Sequence, residues 1–444
     1  MRLPKAKATR RILLAPLTLT LVAYTSVRGD PTWMQWGLDS LSVSNLHQAG
    51  DYLYATAYAD GVWRRYLPDA DSTWVSRGLS GLFLSGVWAN ADGDTIYVSD
   101  ESLDDVTAYR SVDNGPWVAI SDPSQHPSGT SGACAVAASR WNAATVLLGG
   151  CQRGMIRSVD AGASWSCVEG CMVGTGAGRI SRIVRSPVDP NEVWAVANSA
   201  FFLGSLLRSQ NDGLTWSLEY FTSGVIHEVS IALDGTVIAN DGPAIIRKPF
   251  GAGPWEVTVV AQWGIQSVEF GKWGSDLAVA GAFGEDSTWA WLSQNGGASW
   301  AKFEDGLTGI TWTGGNSPRV RALESDIATP GVFFAAIDQN GVWRVQIDGV
   351  VSTDSAQDSW LAWSPVRLLR NPARREALFE VLAPLSSATV FDSSGRLVRR
   401  LPTGQRELLW DGRTTNGARS PDGVYFLSVE SRGRRVSTRF VWLR

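Results

Sequence analysis

Ser158-Val159-Asp160-Ala161-Gly162-Ala163-Ser164-Trp165 spells a tight turn between two strands. The Asp160 side chain accepts backbone N–H bonds across such a turn, Gly162 supplies positive φ, and Trp165 closes over the hairpin. The spelling returns as Ser209-Gln210-Asn211-Asp212-Gly213-Leu214-Thr215-Trp216 and as Ser293-Gln294-Asn295-Gly296-Gly297-Ala298-Ser299-Trp300, with Asn for Asp. Ser111-Val112-Asp113-Asn114-Gly115-Pro116-Trp117 is one residue short. Working outward, short β-branched and aromatic runs recur at 53–56, 96–99, 146–149, 193–196, 237–240, 277–280 and 332–335, that is, 40–55 residues apart. Runs this short and this continuously apolar predict strands buried on both faces, one per repeat.

The ends of the array show how it closes. The first unit carries Gly61-Val62-Trp63-Arg64 and the last Gly341-Val342-Trp343-Arg344, but the last has no following Ser/Thr-Trp strand. Thr32-Trp33-Met34-Gln35-Trp36-Gly37-Leu38 stands alone near the start and matches Thr73-Trp74 with Gly78-Leu79. Residues 32–38 are therefore expected to supply the outer strand of a last sheet made otherwise from about 320–348, removing the open edges.

These turns resemble the Asp-box, or bacterial neuraminidase repeat, S-x-D-x-G-x-x-W. The resemblance implies an all-β chain whose residues 29–348 form a seven-bladed β-propeller. In it Ser158, Asp160, Gly162, Trp165, Asn211, Gly213, Trp216, Asn295, Gly297 and Trp300 are structural residues of blade turns.

From about 349 the pattern changes. Residues 349–364 are polar and linker-like. Strands are expected at 377–382, 387–392, 396–401, 406–410, 423–430 and 436–443. Val390-Phe391-Asp392, Gly395-Arg396-Leu397-Val398, Leu409-Trp410-Asp411-Gly412 and Asp422-Gly423-Val424-Tyr425-Phe426 resemble the C-terminal immunoglobulin-like module related to the flagellar hook-capping protein. The same pattern marks type IX secretion sorting domains. The resemblance implies a small antiparallel β-sandwich over 365–444 that handles sorting or anchoring.

Composition agrees with an all-β reading: 46 Gly and 22 Trp against three His and four Met leave little room for a helical bundle or a His-rich metal centre. Residues 366–444 carry 15 Arg, no Lys and seven acids, whereas 29–365 carry 18 basic and 36 acidic groups. The acidic body repels phosphates, so nucleic acid is not an expected partner. Residues 1–28 hold six basic groups and no acid, and five of the six precede an apolar stretch over 12–24 that is too short to span a bilayer. They are expected to be a secretory signal peptide, which places the protein outside the cell or on its outer surface. Export makes disulfides the default for Cys134, Cys151, Cys167 and Cys171, with Cys134–Cys151 and Cys167–Cys171 the preferred pairing over a zinc site.

No catalytic, metal or cofactor site is expected. There is no G-x-S-x-G elbow, H-E-x-x-H or phosphate loop. Sialidases on related propellers need an arginine triad, a Tyr–Glu pair and an acid/base Asp. Arg182-Ile183-Val184 is a poor substitute for their signature, and Arg64, Arg157, Arg208, Arg247 and Arg344 recur with the repeat, which suits a structural or rim role. Asp92 and Asp94 read as turn residues, and His47, His126 and His227 as surface or loop imidazoles. The expected function is non-catalytic. The propeller binds a surface glycan or protein at its rim or mouth, and the tail engages the secretion machinery. The rival is a glycoside hydrolase of the sialidase or xyloglucanase type.

Overall fold

The computed structural model describes residues 31–444 except 103–107, 122–131, 152–153, 170–177, 200–202, 251–252, 262–263, 284–289, 309, 311–317, 349, 351–365, 369–372, 375, 382–384, 393–395, 432–433 and 444. The segment expected to be a signal peptide and Cys171 lie outside the described residues. So do His126, the Ser394-Gly395 turn and most of the polar stretch after 349.

Seven four-stranded antiparallel sheets follow one another along residues 34–346, the blades of a β-propeller. The first strands are Val43–Ala49, Leu84–Ala89, Ala133–Ala138, Arg179–Arg185, Val229–Ile231, Ile265–Phe270 and Val320–Ser325. Six of them shift register by one residue at the same place, between 43/45, 84/86, 133/135, 180/182, 265/267 and 320/322. Such a bulge raises local twist and re-aims one side chain. Each apolar run read from the sequence lies in the second strand of its blade, where sheets pack on both sides and nearly every residue is buried.

Met34–Gly37 pairs with Gly341–Gln346, aligning Met34 with Arg344 and Gln35 with Trp343. The segment also bridges its neighbours. Trp33 is fully buried against Phe303 of the sixth blade, with ring centroids 5.8 Å apart, and donates its indole N–H to Phe303 O at 2.9 Å. Trp36 packs on Phe334 and Trp74, and the Arg65 guanidinium lies 3.6 Å above its ring.

The hairpins have the expected chemistry in three blades. Ser158 Oγ accepts Gly162 N–H, and Asp160 Oδ1 accepts Ser164 N–H, both at 2.8 Å. Ser209/Asn211 and Ser293/Asn295 repeat both bonds. Gly162, Gly213 and Gly297 have φ of 90°, 81° and 83°. In the short copy the left-handed residues are Asp113 and Asn114 instead, and Ser111 Oγ donates to Gly115 O, because one residue fewer forces a different turn.

The tryptophans divide into two groups. Only Trp216 and Trp300 donate to their own turns, at Gly213 O and Gly297 O. The others reach back to the preceding blade: Trp74 to Trp36 O, Trp117 to Arg77 O, Trp165 to Ile120 O and Trp255 to Glu219 O. The arginines reach forward. Arg64 donates to the Asn114 side chain, Arg110 to Ala161 O, Arg157 to Asp212 O and Arg247 to Gly296 O, each on the turn of the next blade. Nearer the axis, Ser44, Ser85 and Ser267 hydroxyls donate to the first-strand carbonyls of the next blade, Leu84, Ala133 and Val320. Each seam between blades is thus an apolar contact stitched by bonds worth about 1 kcal/mol apiece.

Residues 366–443 form a sandwich of a three-stranded and a five-stranded sheet. Its core centres on Trp410, which contacts Tyr425, Phe440 and Trp442 at 4.9–5.6 Å. Strands fall at Ala377–Val381, Ser387–Asp392, Leu397–Arg400, Glu407–Trp410, Gly423–Ser431 and Arg434–Leu443. The short strands Val366–Leu368 and Ala373–Arg374, absent from the sequence reading, are too brief to leave a periodic signal.

Candidate functional site

Strand alternation sends every second side chain of a first strand toward the axis. Blades 2 and 3 present small or apolar groups there, Gly86 and Trp88, then Ala135 and Ala137. The remaining blades contribute Asn45 and His47, Arg182, Glu228 and Ser230, Glu269, and Glu324, which with Lys272 line a central cavity of about 170 Å3.

These groups bond to one another. Arg182 Nε donates to both oxygens of Glu228, at 2.7 and 2.6 Å. The Lys272 ammonium pairs with Glu324 and lies 4.0 Å from Glu269 Oε1. Glu324 Oε1 also accepts Gln48 N–H at 3.1 Å. Glu269 accepts the Ser230 hydroxyl at 3.2 Å. Burial pushes the Glu269 carboxyl up to about 8; Lys272 opposes the rise, while Glu324 and Glu228 add to it. Glu228 is also raised by burial, against the pull of Arg182. His47 is not the surface imidazole expected. It stacks on Trp88 at 6.2 Å, bonds Ala89 O at 3.0 Å, and burial lowers its pKa.

One end of the channel forms a mouth. There, Tyr58, Glu101, Cys151, Phe283 and Asp338 each donate a backbone N–H to the carbonyl that precedes or opens a first strand, at Ser42, Phe83, Gly132, Gly264 and Arg319. That places the ends of second strands and the starts of first strands in one circle. Arg179 pairs with Glu101 at 2.6 Å and Arg321 with Asp338 at 2.7 Å. Arg321 lies 5.6 Å from the Tyr58 ring centre, and Arg319 lies 5.6 Å from that of Phe283. Burial first, then the charges of Arg319, Arg321 and Arg179, hold the His227 imidazole down to about 4. Burial, aided by Glu101, raises the Tyr58 phenol.

None of the ten hairpin residues singled out from the sequence lines this channel. They sit between the third and outer strands, and their polar side chains are spent on their own turns. Arg64, Arg157 and Arg247 serve the seams described above, while Arg208 turns to Glu192 and Arg344 to Gln346. Asp94 accepts the Asn90 amide at 2.6 Å as a turn residue. Cys134 and Cys151 form a disulfide beside the mouth, and Cys167 is also disulfide-bonded. Glu101, Cys134 and Cys151 have ligand atoms within 4.8 Å of one another, but bonded sulfurs are not thiolate ligands.

The sequence reading missed Glu228, Glu269, Glu324 and Lys272, and it dismissed Arg182. Their signal was present. A charged residue stands at 182, 269 and 324 in first strands and at 228 just before one, where the counterparts in blades 2 and 3 are glycine, tryptophan or alanine. It went unread because only residues that recur were compared.

No family model matches the chain, and no curated protein matches it. Solved structures do. A GH74 xyloglucanase from Xanthomonas campestris superposes with a TM-score of 0.56 at 14% identity, over 92% of this chain and 68% of that one. The GH74 enzyme of Niastella koreensis gives 0.55 at 13%, over 92% and 67%. YCF48 bound to D1 peptide gives 0.52 at 16%, over 72% of this chain and 98% of that one. At these identities the likeness concerns the fold, a β-propeller.

Proposed function

We propose that the chain is an exported, non-catalytic propeller of the Asp-box class that binds a surface polymer or protein at the mouth of its channel. On this reading residues 365–444 are an immunoglobulin-like sorting or anchoring module that engages the secretion machinery. One observation carries the binding reading: all but one of the acids around the axis, Glu269, are already committed to ion pairs. Glu101, Glu228, Glu324 and Asp338 each pair with a cation of the same channel. A hydrolase needs two carboxyl groups facing each other across a cleft, open to substrate and water. The mouth instead offers Tyr58, Phe283 and Arg319, aromatic faces and a cation suited to holding an extended ligand. The resemblance to YCF48, a propeller solved with a peptide bound, supports the same reading.

The glycosidase reading stays second because Tyr58, Glu101, Arg179, Arg319 and Arg321 meet at one mouth and the fold resembles GH74 enzymes. A screen of glycan and peptide arrays, with a glycosidase panel run on the same preparation, separates the two. Saturable binding without turnover, lost in a Tyr58→Ala/Arg319→Ala double variant, is the expected result. Turnover that disappears in Glu101→Gln would establish the hydrolase instead. Deleting 365–444 is expected to stop surface delivery while leaving binding intact.

A further inference from the structure

The channel wall holds one carboxyl group, Glu269, whose lack of a direct ion pair the mouth does not explain. Three carboxyl groups, Glu228, Glu269 and Glu324, face two cations, Arg182 and Lys272. Arg185, a third cation of the lining, shares Asp212 with Arg157. Glu228 takes Arg182 and Glu324 takes Lys272, which leaves Glu269 with serine hydroxyls at 3.2 and 3.5 Å and the shared ammonium at 4.0 Å. Ionised, Glu269 is the one carboxylate of this wall without a direct ion pair, which is costly in a buried site. A proton on Glu269 removes that cost. So does a cation from outside. The cavity of about 170 Å3 beside it has room for about five water-sized groups, small for a drug-like ligand but ample for a short chain. Trp88 and the His47 stacked on it give one aromatic side, which suits an aliphatic stem and a cationic head alike.

We propose that the central channel binds a primary ammonium group on an unbranched aliphatic stem, with Glu269 as its counter-ion. As the ammonium enters, the Glu269 carboxyl releases its proton to solvent, so the buried charge is balanced before and after. The groups lining the site beside Glu269 are His47, Arg182, Arg185, Glu228, Ser230, Lys272 and Glu324. The ion pairs among them hold Glu269 in place. The inference does not depend on what binds at the mouth. The stem's source is either a free small amine or a lysine side chain of a bound polypeptide.

The test is calorimetry of n-butylammonium on the full chain, with n-butanol and sodium chloride as controls. At pH 9 saturable binding is expected. At pH 6 it should weaken at least tenfold, and near neutrality binding should release a proton, read from titrations in buffers of different ionisation enthalpy. Glu269→Gln should abolish binding, and Glu269→Asp should retain part of it. Nα-acetyl-lysine amide distinguishes the sources: binding by both probes admits a lysine side chain, and binding by butylammonium alone assigns the channel to a free amine. Equal binding of butanol, undiminished binding to Glu269→Gln, or no saturable heat at pH 9 would each overturn the proposal.

Discussion

The circumference of the ring and the wall of its channel are made from the same seven repeats, and they obey opposite rules. On the circumference the chemistry recurs: a tryptophan reaching back, an arginine reaching forward, a serine holding a glycine turn. Along the wall it does not recur. Equivalent positions hold Gly86, Ala135, Arg182 and Glu228. Repetition satisfies what every seam needs, so it reports on stability. Departure from the repeat marks where one blade does something its neighbours do not. The recurring residues are thus the poorest guide to a ligand, and the exceptions the best.

The sharpest test of that contrast is the strap that closes the ring. Removing 31–37 strips the Gly341–Gln346 strand of its partner and exposes the surfaces that Trp33 and Trp36 cover. Loss of cooperative unfolding is the expected outcome, followed by circular dichroism during a thermal ramp. Trp33→Ala alone should cost about 3–5 kcal/mol in a urea titration. A cost below about 1 kcal/mol would mean that the ring stays shut without the strap. Neither change should alter the calorimetric response at Glu269 in whatever fraction stays folded.

The wall answers to pH. The Glu269 carboxyl, near 4.5 in an unfolded chain and about 8 in the folded one, binds its proton more tightly when folded. Its contribution to stability is therefore fully present below about pH 4.5 and is lost as pH rises through about 8. Glu269→Gln keeps a neutral side chain throughout. The variant should gain on the wild type by roughly 2–4 kcal/mol between pH 5 and pH 9, measured as the difference of the two urea profiles. Parallel profiles would mean that the carboxyl is ionised in the folded protein.

Legibility follows the same division. Seven apolar runs, three hairpins and the unmatched Trp33 segment were enough to give the blades and the closing strand. The reason is that β-branched runs, Asp/Asn-Gly turns and a strand without a partner leave local marks. The bond from the Trp165 indole across the seam was not legible, since nothing near Trp165 in sequence points to Ile120, 45 residues earlier. The channel was not legible at all from recurrence. Glu228, Glu269 and Glu324 become neighbours only when the ring closes, and a single glutamate in an apolar strand reads as an exposed edge until its burial is known.

Seam tryptophans are expected to matter less than the strap but unequally. Trp165→Phe removes the N–H that Ile120 O accepts at 2.6 Å across a seam, whereas Trp216→Phe removes a 3.2 Å bond within one turn. The first should cost about 1–2 kcal/mol and the second under about 1 kcal/mol, by denaturant titration. Equal losses would show that ring packing, not the bond across the seam, sets the cost.

The smallest effect separates the arginines. Arg157 gives Asp212 two bonds, from Nε to the backbone oxygen at 3.0 Å and from Nη2 to the carboxylate at 2.8 Å, spanning two blades. Arg208 occupies the same place one blade on, but pairs with Glu192 of its own sheet. A lysine offers one mobile ammonium and loses the forked geometry. Arg157→Lys should therefore cost about 0.5–1 kcal/mol, and Arg208→Lys less, because both are partly exposed and screened by solvent. The informative quantity is the coupling to Asp212→Ala in a double-mutant cycle. A coupling near zero for Arg157 would show that the forward-reaching arginines only cover apolar seam surface, and that the tryptophans and the serines nearer the axis tie blade to blade.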